Sequence, residues 1–455
     1  MRLHDSLTAQ KRDFQPLGDE VRLYVCGVTP YAPAHVGHAM SYVYFDTLRR
    51  YLAFSGYRVR HVQNFTDIDD KIIAAAQRED ISVEALAGRY IEDYLGEMDR
   101  LNILRADVYP RATEEVPQII EMIEGLVAGG HAYPSGGDVY FRVTGFSGYG
   151  KLSHRTLDGM VAGARVETGV LKEHPMDFTL WKGAKPDEPS WESPWGAGRP
   201  GWHIECSAMS LRYLGSQLDI HGGGQDLVFP HHENEVAQSE AFTGEAPFVN
   251  FWLHNGLLQL DESKMSKSLG NLVTVAEALS LFSADAIRLF FLGSHYRGPL
   301  AYTEDGVRSQ ERAVERLRLA ATAPDAAAPE GEAADPAPFR ERFIAALDDD
   351  LNTPQALAAL FDLARDINRA REASRPVADA QATLRELAGV LGLTFTTSSA
   401  EDGLAGPLVE MLAEVRGELR AAKQFALADR IRYRLQELGV ALEDSAQGTT
   451  WRFQR

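Results

Sequence analysis

The chain of 455 residues is 45% hydrophobic and 24% charged, with a formal net charge of −19. That length exceeds what one core can organise, so three or four domains are expected, and no apolar run approaches the roughly 20 residues that span a bilayer. The acidic balance excludes a nonspecific nucleic-acid binder held by phosphate neutralisation, two cysteines (Cys26 and Cys206) exclude a disulfide framework, and the polar start lacks a signal-peptide core, so a cytoplasmic protein is expected.

The alternation Val21-Arg22-Leu23-Tyr24-Val25 predicts a strand. After it comes His35-Val36-Gly37-His38, opening an amphipathic helix with Phe45, Leu48 and Leu52 on one face and Gly56 as its stop signal. Residues 57–64 read as a second strand, followed by an acidic loop from Asp67 to Asp70, so residues 1–108 suit the first half of a nucleotide-binding α/β sheet. Residues 109–196 read as an insertion, with a hairpin signal at Ser135-Gly136-Gly137-Asp138. The sheet is expected to resume near Gly198 and to fill residues 197–302, with strands at 218–224 and 251–255. Lys264-Met265-Ser266-Lys267-Ser268 falls late in that half, on a serine-rich loop.

Beyond Tyr302 the pattern is helical, giving a bundle over 303–397 and a tail over 398–455. Residues 322–338 form a linker rich in Ala, Pro, Asp and Glu. Thr353-Pro354 reads as N-cap and first-turn proline of a helix carrying Leu357, Leu360, Phe361, Ala364 and Ile367, and a second break is expected at 396–403. From Leu408 the tail holds eight Lys and Arg against seven Asp and Glu, with Arg430, Arg432 and Arg434 flanking the apolar line Leu427, Ile431, Leu435 and Leu438.

Two imidazoles one turn apart at a helix N-terminus can donate to phosphate oxygens where the backbone N–H groups and the dipole already favour an anion. Two ammonium groups on a flexible loop suit the charge that develops as a phosphoryl transition state forms. His35 and His38 with Lys264 and Lys267 therefore read as two halves of an ATP-activating site. His231 and Glu235, four apart, can face one point from a helix, with His232 as the competing imidazole; spacing alone does not join them to Cys26 and Cys206.

These motifs are similar to the signature pair of the class I aminoacyl-tRNA synthetases, and the surrounding segments resemble the cysteinyl-tRNA synthetase family. The similarity runs through Tyr24-Val25-Cys26-Gly27, Asn64-Phe65-Thr66-Asp67-Ile68-Asp69-Asp70-Lys71, Gly201-Trp202-His203-Ile204-Glu205-Cys206, His221-Gly222-Gly223-Gly224-Gln225-Asp226, Pro230-His231-His232-Glu233-Asn234-Glu235 and the terminal Gly448-Thr449-Thr450-Trp451. The resemblance implies a Rossmann-like parallel-sheet catalytic domain with an inserted connective domain, then an α-helical bundle and a small C-terminal anticodon-binding domain. It implies activation of L-cysteine with ATP and transfer to tRNA(Cys) by a monomer, with Mg²⁺ accompanying ATP. One Zn²⁺ is implied on Cys26, Cys206, His231 and Glu235, a donor set of soft and borderline ligands suited to that ion. Gly27, Thr66 and Trp202 would line the amino-acid pocket, and Gly222, Gly223, Gly224 and Asp226 would hold adenosine. Met265, Ser266 and Ser268 would join Lys264 and Lys267 at ATP, and Arg430, Arg432, Asp444 and Trp451 would contact tRNA.

Two departures touch the nucleotide site. Met40 stands where the family usually has arginine, and Cys26-Gly27 continues as Val28-Thr29-Pro30 where the family usually reads Pro-Thr-Val. Both variants resemble the cysteine ligase of mycothiol biosynthesis, which joins cysteine to an amino sugar. The tail from Leu408 is superfluous to that reaction and favours a tRNA acceptor.

Overall fold

Four parallel strands run through the centre of the first unit: β1 (Glu20–Val28), β2 (Arg58–Phe65), β3 (Leu218–Gly224) and β4 (Val249–Asn255), in the order β4-β3-β1-β2. β1 and β3 are buried over most of their length because both faces of a parallel sheet are covered by helices. The chain leaves β1 toward β2 and β3 toward β4, in opposite directions, so a crevice opens between the C-terminal ends of β1 and β3. Helix α1 (Val36–Phe54) makes the first crossover, α2 (Asp70–Glu79) follows β2, and α3 (Trp202–Leu214) and α4 (Glu233–Thr243) flank β3.

This computed structural model describes residues 1–163, 171–186, 188–260, 263–264, 272–324, 331–396, 399–445 and 448–453, in two units, Met1–Thr394 and Phe395–Arg455. No helix among the described residues is long and apolar enough to cross a membrane.

The expected hairpin at Gly136-Gly137 is present, joining Ala132–Ser135 to Asp138–Phe141. The expected return to the main sheet near Gly198 needs correction. Gly198–Pro200 pairs antiparallel with Phe178–Gly183 and forms the edge of the inserted four-stranded sheet, an edge being where Pro200 can lack an N–H. The parallel sheet resumes only at Leu218. Further on, the helix Thr353–Glu372 is capped by Asn352, whose side chain accepts from Gln355 N at 3.2 Å, one residue earlier than expected. The second unit is a helix pair, Ser399–Ala421 and Phe425–Glu437, followed by a hairpin of Val440–Ser445 and Gly448–Phe453, so the helical pattern ends before the tail does. The long helix starts inside the expected 396–403 break.

A buried charge cluster fixes α1. The guanidinium of Arg288, fully buried, donates to Asp46 of α1 at 2.6 Å and to the carbonyls of Leu101 and Leu391 at 3.0 Å. Asp46 also accepts from Arg50 at 2.8 Å and from Leu104 N at 2.9 Å, so both carboxylate oxygens are hydrogen-bonded and the buried pair is compensated. Gly392 leaves the room that Arg288 needs: a Cβ there would lie 2.1 Å from Nη2.

Glu97 lies against the helix Val275–Leu281, accepting from Ala276 N, while one of its buried oxygens has no partner. Burial, then Asp93, pushes its carboxyl up to about 7. An acid whose folded value exceeds its unfolded one costs nothing below the unfolded value near 4.5, and the full cost above 7. Glu97→Gln is therefore expected to match the parent near pH 4.5 and to be more stable at pH 8 by about 1–2 kcal/mol after solvent screening. Denaturant melts at both pH values check this, and equal differences at the two would refute it.

Candidate functional site

The site begins with an irregularity in β1. Pairing with β2 holds register to Val25↔Gln63, breaks, and resumes at Val28↔Phe65, leaving Cys26 and Gly27 in the shift. Asn64 crosses there: its Oδ1 accepts from Gly27 N at 2.9 Å, and a Cβ on Gly27 would stand 1.5 Å from the Asn64 carbonyl oxygen. Only glycine permits that approach, and it sets the end of β1 beside α3 and α4.

Four chemical donors then converge. Cys26 Sγ lies 3.7 Å from Cys206 Sγ on α3 and 3.6 Å from Glu235 Oε1 on α4. His231 Nε2, one turn before Glu235, is 3.0 Å from the same carboxylate oxygen. His232 belongs to the cluster as well, with Nε2 at 3.3 Å from Cys26 Sγ. Donor atoms of Cys26, His231, His232 and Glu235 all lie within 4.8 Å of one another, and all four residues are buried. The structure thus brings together the four residues expected from the sequence and adds His232, the competitor.

Electrostatics divides the two imidazoles. A hydrogen bond from Cys26 holds the Cys206 thiol down to about 6, against burial, while burial and Cys206 push Cys26 well above the usual thiol range. Burial would discharge His231, yet the Glu235 carboxylate and then Cys206 raise it to about 10. His232 feels burial and then its imidazole neighbour His221, and is held well below its usual value. So a proton on His231 compensates a buried thiolate and a buried carboxylate, in the place where two sulfurs, an imidazole nitrogen and a carboxylate oxygen would suit a divalent borderline-soft cation. The donor set fits zinc.

A ring of further imidazoles supports the cluster. His221 on β3 donates Nε2–H to Glu235 Oε2 at 2.8 Å, His203 and His231 share a hydrogen bond at 2.9 Å, and His232 reaches His254 at 2.7 Å, which in turn reaches Ser6 at 2.7 Å. His203, His254 and Asn64 were not singled out from sequence. For Asn64 and His254 the available signal was a polar residue inside a run that reads as buried strand; His203 sits in the first turn of α3 and offered no such signal.

Above Cys26 opens a cavity of about 390 Å³ at the sheet crevice, lined by Gly27, His35, His38, Trp202, Gly223, Gly224 and Asp226 among others. His35 and His38 act first as helix caps. Nδ1 of His35 accepts from His38 N at 3.3 Å, Nδ1 of His38 accepts from His35 N at 3.4 Å, and the rings stack at 3.6 Å. An accepting Nδ1 places the proton of a neutral ring on Nε2, the tautomer that donates outward. A Cβ on Gly37 would meet the His35 ring at 3.0 Å.

Gly222 and Thr66 sit outside the cavity lining. Gly222 does not line the cavity; a Cβ there would stand 2.1 Å from the Phe45 ring, so this glycine serves the packing of α1 on β3. Thr66 is buried behind the wall, with Asn64 Nδ2 donating to its hydroxyl at 3.4 Å. Trp202 is 39% exposed and stacks on His231 at 4.2 Å, covering the cluster from outside. Met40 is buried and lines the cavity, making an uncharged wall.

The backbone of Lys264 pairs with Gln259, and Met265, Ser266, Lys267 and Ser268 lie outside the described residues. In the second unit, Arg430 edges an apolar groove of about 290 Å³ with Leu427, Ile431, Arg434 and Leu438. Arg432 is exposed, and Asp444 lies in the hairpin. Trp451, expected to contact tRNA, is partly buried and packs against the unit's core of Val409, Ala413, Leu435, Val440 and Leu442.

The family described as "tRNA synthetases class I (C) catalytic domain" matches residues 13–312, and the DALR domain matches residues 342–396, so the tail lies outside both. The chain is 57% identical over 457 residues to the "Cysteine--tRNA ligase" of Dehalococcoides mccartyi, covering 99% of each, and 51% identical over 463 residues to that of Alkalilimnicola ehrlichii, again covering 99% of each. Among solved structures, a Mycobacterium tuberculosis methionyl-tRNA synthetase in complex with methionyl-adenylate matches with a TM-score of 0.60 at 19% identity, over 82% of this chain and 90% of that one. At that identity the likeness is one of fold.

Proposed function

The chain belongs to the cysteine branch of the class I tRNA synthetases, and we propose from that membership that it ligates L-cysteine to tRNA(Cys). Cysteine attacks the α-phosphorus of ATP through its carboxylate, releasing pyrophosphate, and the terminal ribose hydroxyl of the tRNA then displaces AMP from the mixed anhydride. Both nucleophiles come from the substrates, so the protein supplies positioning and charge. One observation carries this reading: a single cavity holds the outward-donating pair His35 and His38 on its wall, together with Cys26 of the buried cysteine, histidine and glutamate cluster. Nothing in the relatives favours an amino-sugar acceptor, since the similarity includes the tail.

Zn²⁺ would be held by Cys26, Cys206, His231 and Glu235. His231 is preferred to His232 because its charge is the one that Cys206 and Glu235 already stabilise. Such an ion would supply Lewis acidity and affinity for sulfur, which a substrate thiol can meet and a serine hydroxyl meets poorly; shape alone separates such neighbours by roughly 1–3 kcal/mol. His35 and His38 donate to phosphate oxygens, Gly223 and Gly224 admit adenosine, Asp226 accepts from ribose, and Mg²⁺ accompanies ATP. Gly27, Thr66 and Trp202 shape the amino-acid end. Arg430, Arg432 and Asp444 provide tRNA contacts in an anticodon-binding tail over 398–455. A cysteine-dependent pyrophosphate exchange assay, followed by charging of tRNA(Cys), tests the whole reading; exchange without charging would overturn the acceptor.

Lys264→Ala and Lys267→Ala are each expected to slow adenylate formation on the order of 100-fold while leaving cysteine affinity within about twofold, since these charges matter as pyrophosphate departs. Single-turnover kinetics separates the two effects. A parallel loss of cysteine affinity would assign the loop a structural role.

A further inference from the structure

Beside the mouth of the active-site cavity lies a second, open depression of about 450 Å³ formed by Tyr31, Lys71, Ala74, Gln77 and Arg78. Tyr31 and Lys71 line both, so the two spaces adjoin along these side chains. We infer that this shelf seats the single-stranded 3′ end of the acceptor RNA, holding its phosphates on Lys71 and Arg78 and a base against Tyr31. The inference rests on the ligation reading above and adds the place where the acceptor strand enters.

The geometry comes from α2. Its inner face, Ile72, Ile73, Ala75 and Ala76, is buried, whereas Lys71, Ala74 and Arg78 follow one another at i, i+3 and i+7 along the outer face and are all exposed. The two cations are separated by about 10 Å of helix axis, within reach of neighbouring phosphates on an extended strand.

The charges favour an anion there despite the chain's net −19. The acids of α2 are already engaged. Asp70 is paired with Lys182 at 2.6 Å and with Arg199, and Glu79 is paired with Arg89 at 2.7 Å. Neither Lys71 nor Arg78 has an ion-pair partner among the described residues. Lys71 Nζ stands 5.5 Å from the Tyr31 ring centroid, which places an aromatic face and a cation together at the cavity mouth. Aromatic stacking combined with backbone cations is the chemistry of sequence-tolerant binding to single strands. A duplex is too wide for a cavity of about 390 Å³, so only an unpaired end can carry its ribose hydroxyl inside.

Arg78 is exposed and lies outside the active-site cavity, so it isolates the shelf from adenylate chemistry. Arg78→Glu in the full chain is expected to raise KM for tRNA(Cys) about tenfold and to reduce the salt slope of RNA binding by about 1, with cysteine-dependent pyrophosphate exchange unchanged. Arg78→Lys should restore most of the loss. A binding probe completes the test: the parent should prefer an acceptor-stem hairpin with a single-stranded 3′ extension over the same hairpin without it, and Arg78→Glu should abolish that preference. An unchanged KM and salt slope in Arg78→Glu, or equal binding of the two hairpins by the parent, would overturn the shelf. Absence of cysteine-dependent exchange in the parent would instead remove the ligation reading beneath it.

Discussion

Cys206→Ser is expected to lose its metal and, with it, cysteine-dependent pyrophosphate exchange by 100-fold or more, on the order of what metal sites lose when their ligation is disturbed. The substitution keeps the volume and removes the softness. Cys206 is the thiol that the hydrogen bond from Cys26 holds below the usual thiol range, so it is the readier of the two to give a thiolate, which serine cannot supply. The carboxylate of Glu235 would remain with Cys26 and His231, but without Cys206 the set loses one of its two sulfurs. Cys206 is fully buried on α3 beside Asn64, so the isosteric change should leave folding intact, which circular dichroism verifies. Elemental analysis reads the metal and exchange reads the chemistry. A variant with one metal per chain and parental exchange would remove Cys206 from the ligand set. Comparing His231→Ala with His232→Ala in the same assays resolves the competing imidazoles: the first should lose metal, and the second should retain it with weakened support from His254.

Truncation after Thr394 is expected to separate the two half-reactions. The cavity, the metal cluster and the described wall residues all lie within Met1–Thr394, so cysteine-dependent exchange should stay within about threefold of the parent. An acceptor as large as tRNA is oriented by contacts far from its reactive end, each worth roughly 1–3 kcal/mol, and the loss of two such contacts lowers kcat/KM for charging on the order of 100-fold or more. The tail has its own core, with Trp451 packed against it, so it should also fold as an isolated fragment. Adding the fragment in trans should not restore charging. Full charging by the truncated chain would place tRNA recognition wholly in the first unit.

Local pattern was readable where a repeat reports one element. The alternation in β1, the helix spacing of α1 and the glycine hairpin of the inserted sheet each follow from burial at period 2 or 3.6 or from turn stereochemistry, all properties of neighbouring residues. Pairing of the edge Gly198–Pro200 was not readable, because three residues carry no period and either sheet could have claimed them. The Thr353 cap was misplaced by one residue because Asn352 and Thr353 are both capping types, and only backbone direction chooses between them.

The same division runs through the site. Sequence by itself determined which chemistry was present: two cysteines, the paired histidines of the first motif, the i, i+4 pair His231 and Glu235, and the lysines of Lys264-Met265-Ser266-Lys267-Ser268. Similarity of whole segments, rather than spacing, connected Cys26 to Cys206 across 180 positions. Tertiary structure alone decided that these donors meet, through the parallel neighbours β1 and β3, the break in register at Cys26 and Gly27, and the close crossing of Asn64. It also turned Gly222 into a packing residue, laid Trp451 partly buried against the core of the second unit, and made His35 and His38 mutual caps before they can serve as phosphate donors. The reason is range: periodicity and capping act within about a turn of chain, whereas a metal cluster and a cavity wall depend on strand order and on which side chains must share a buried volume.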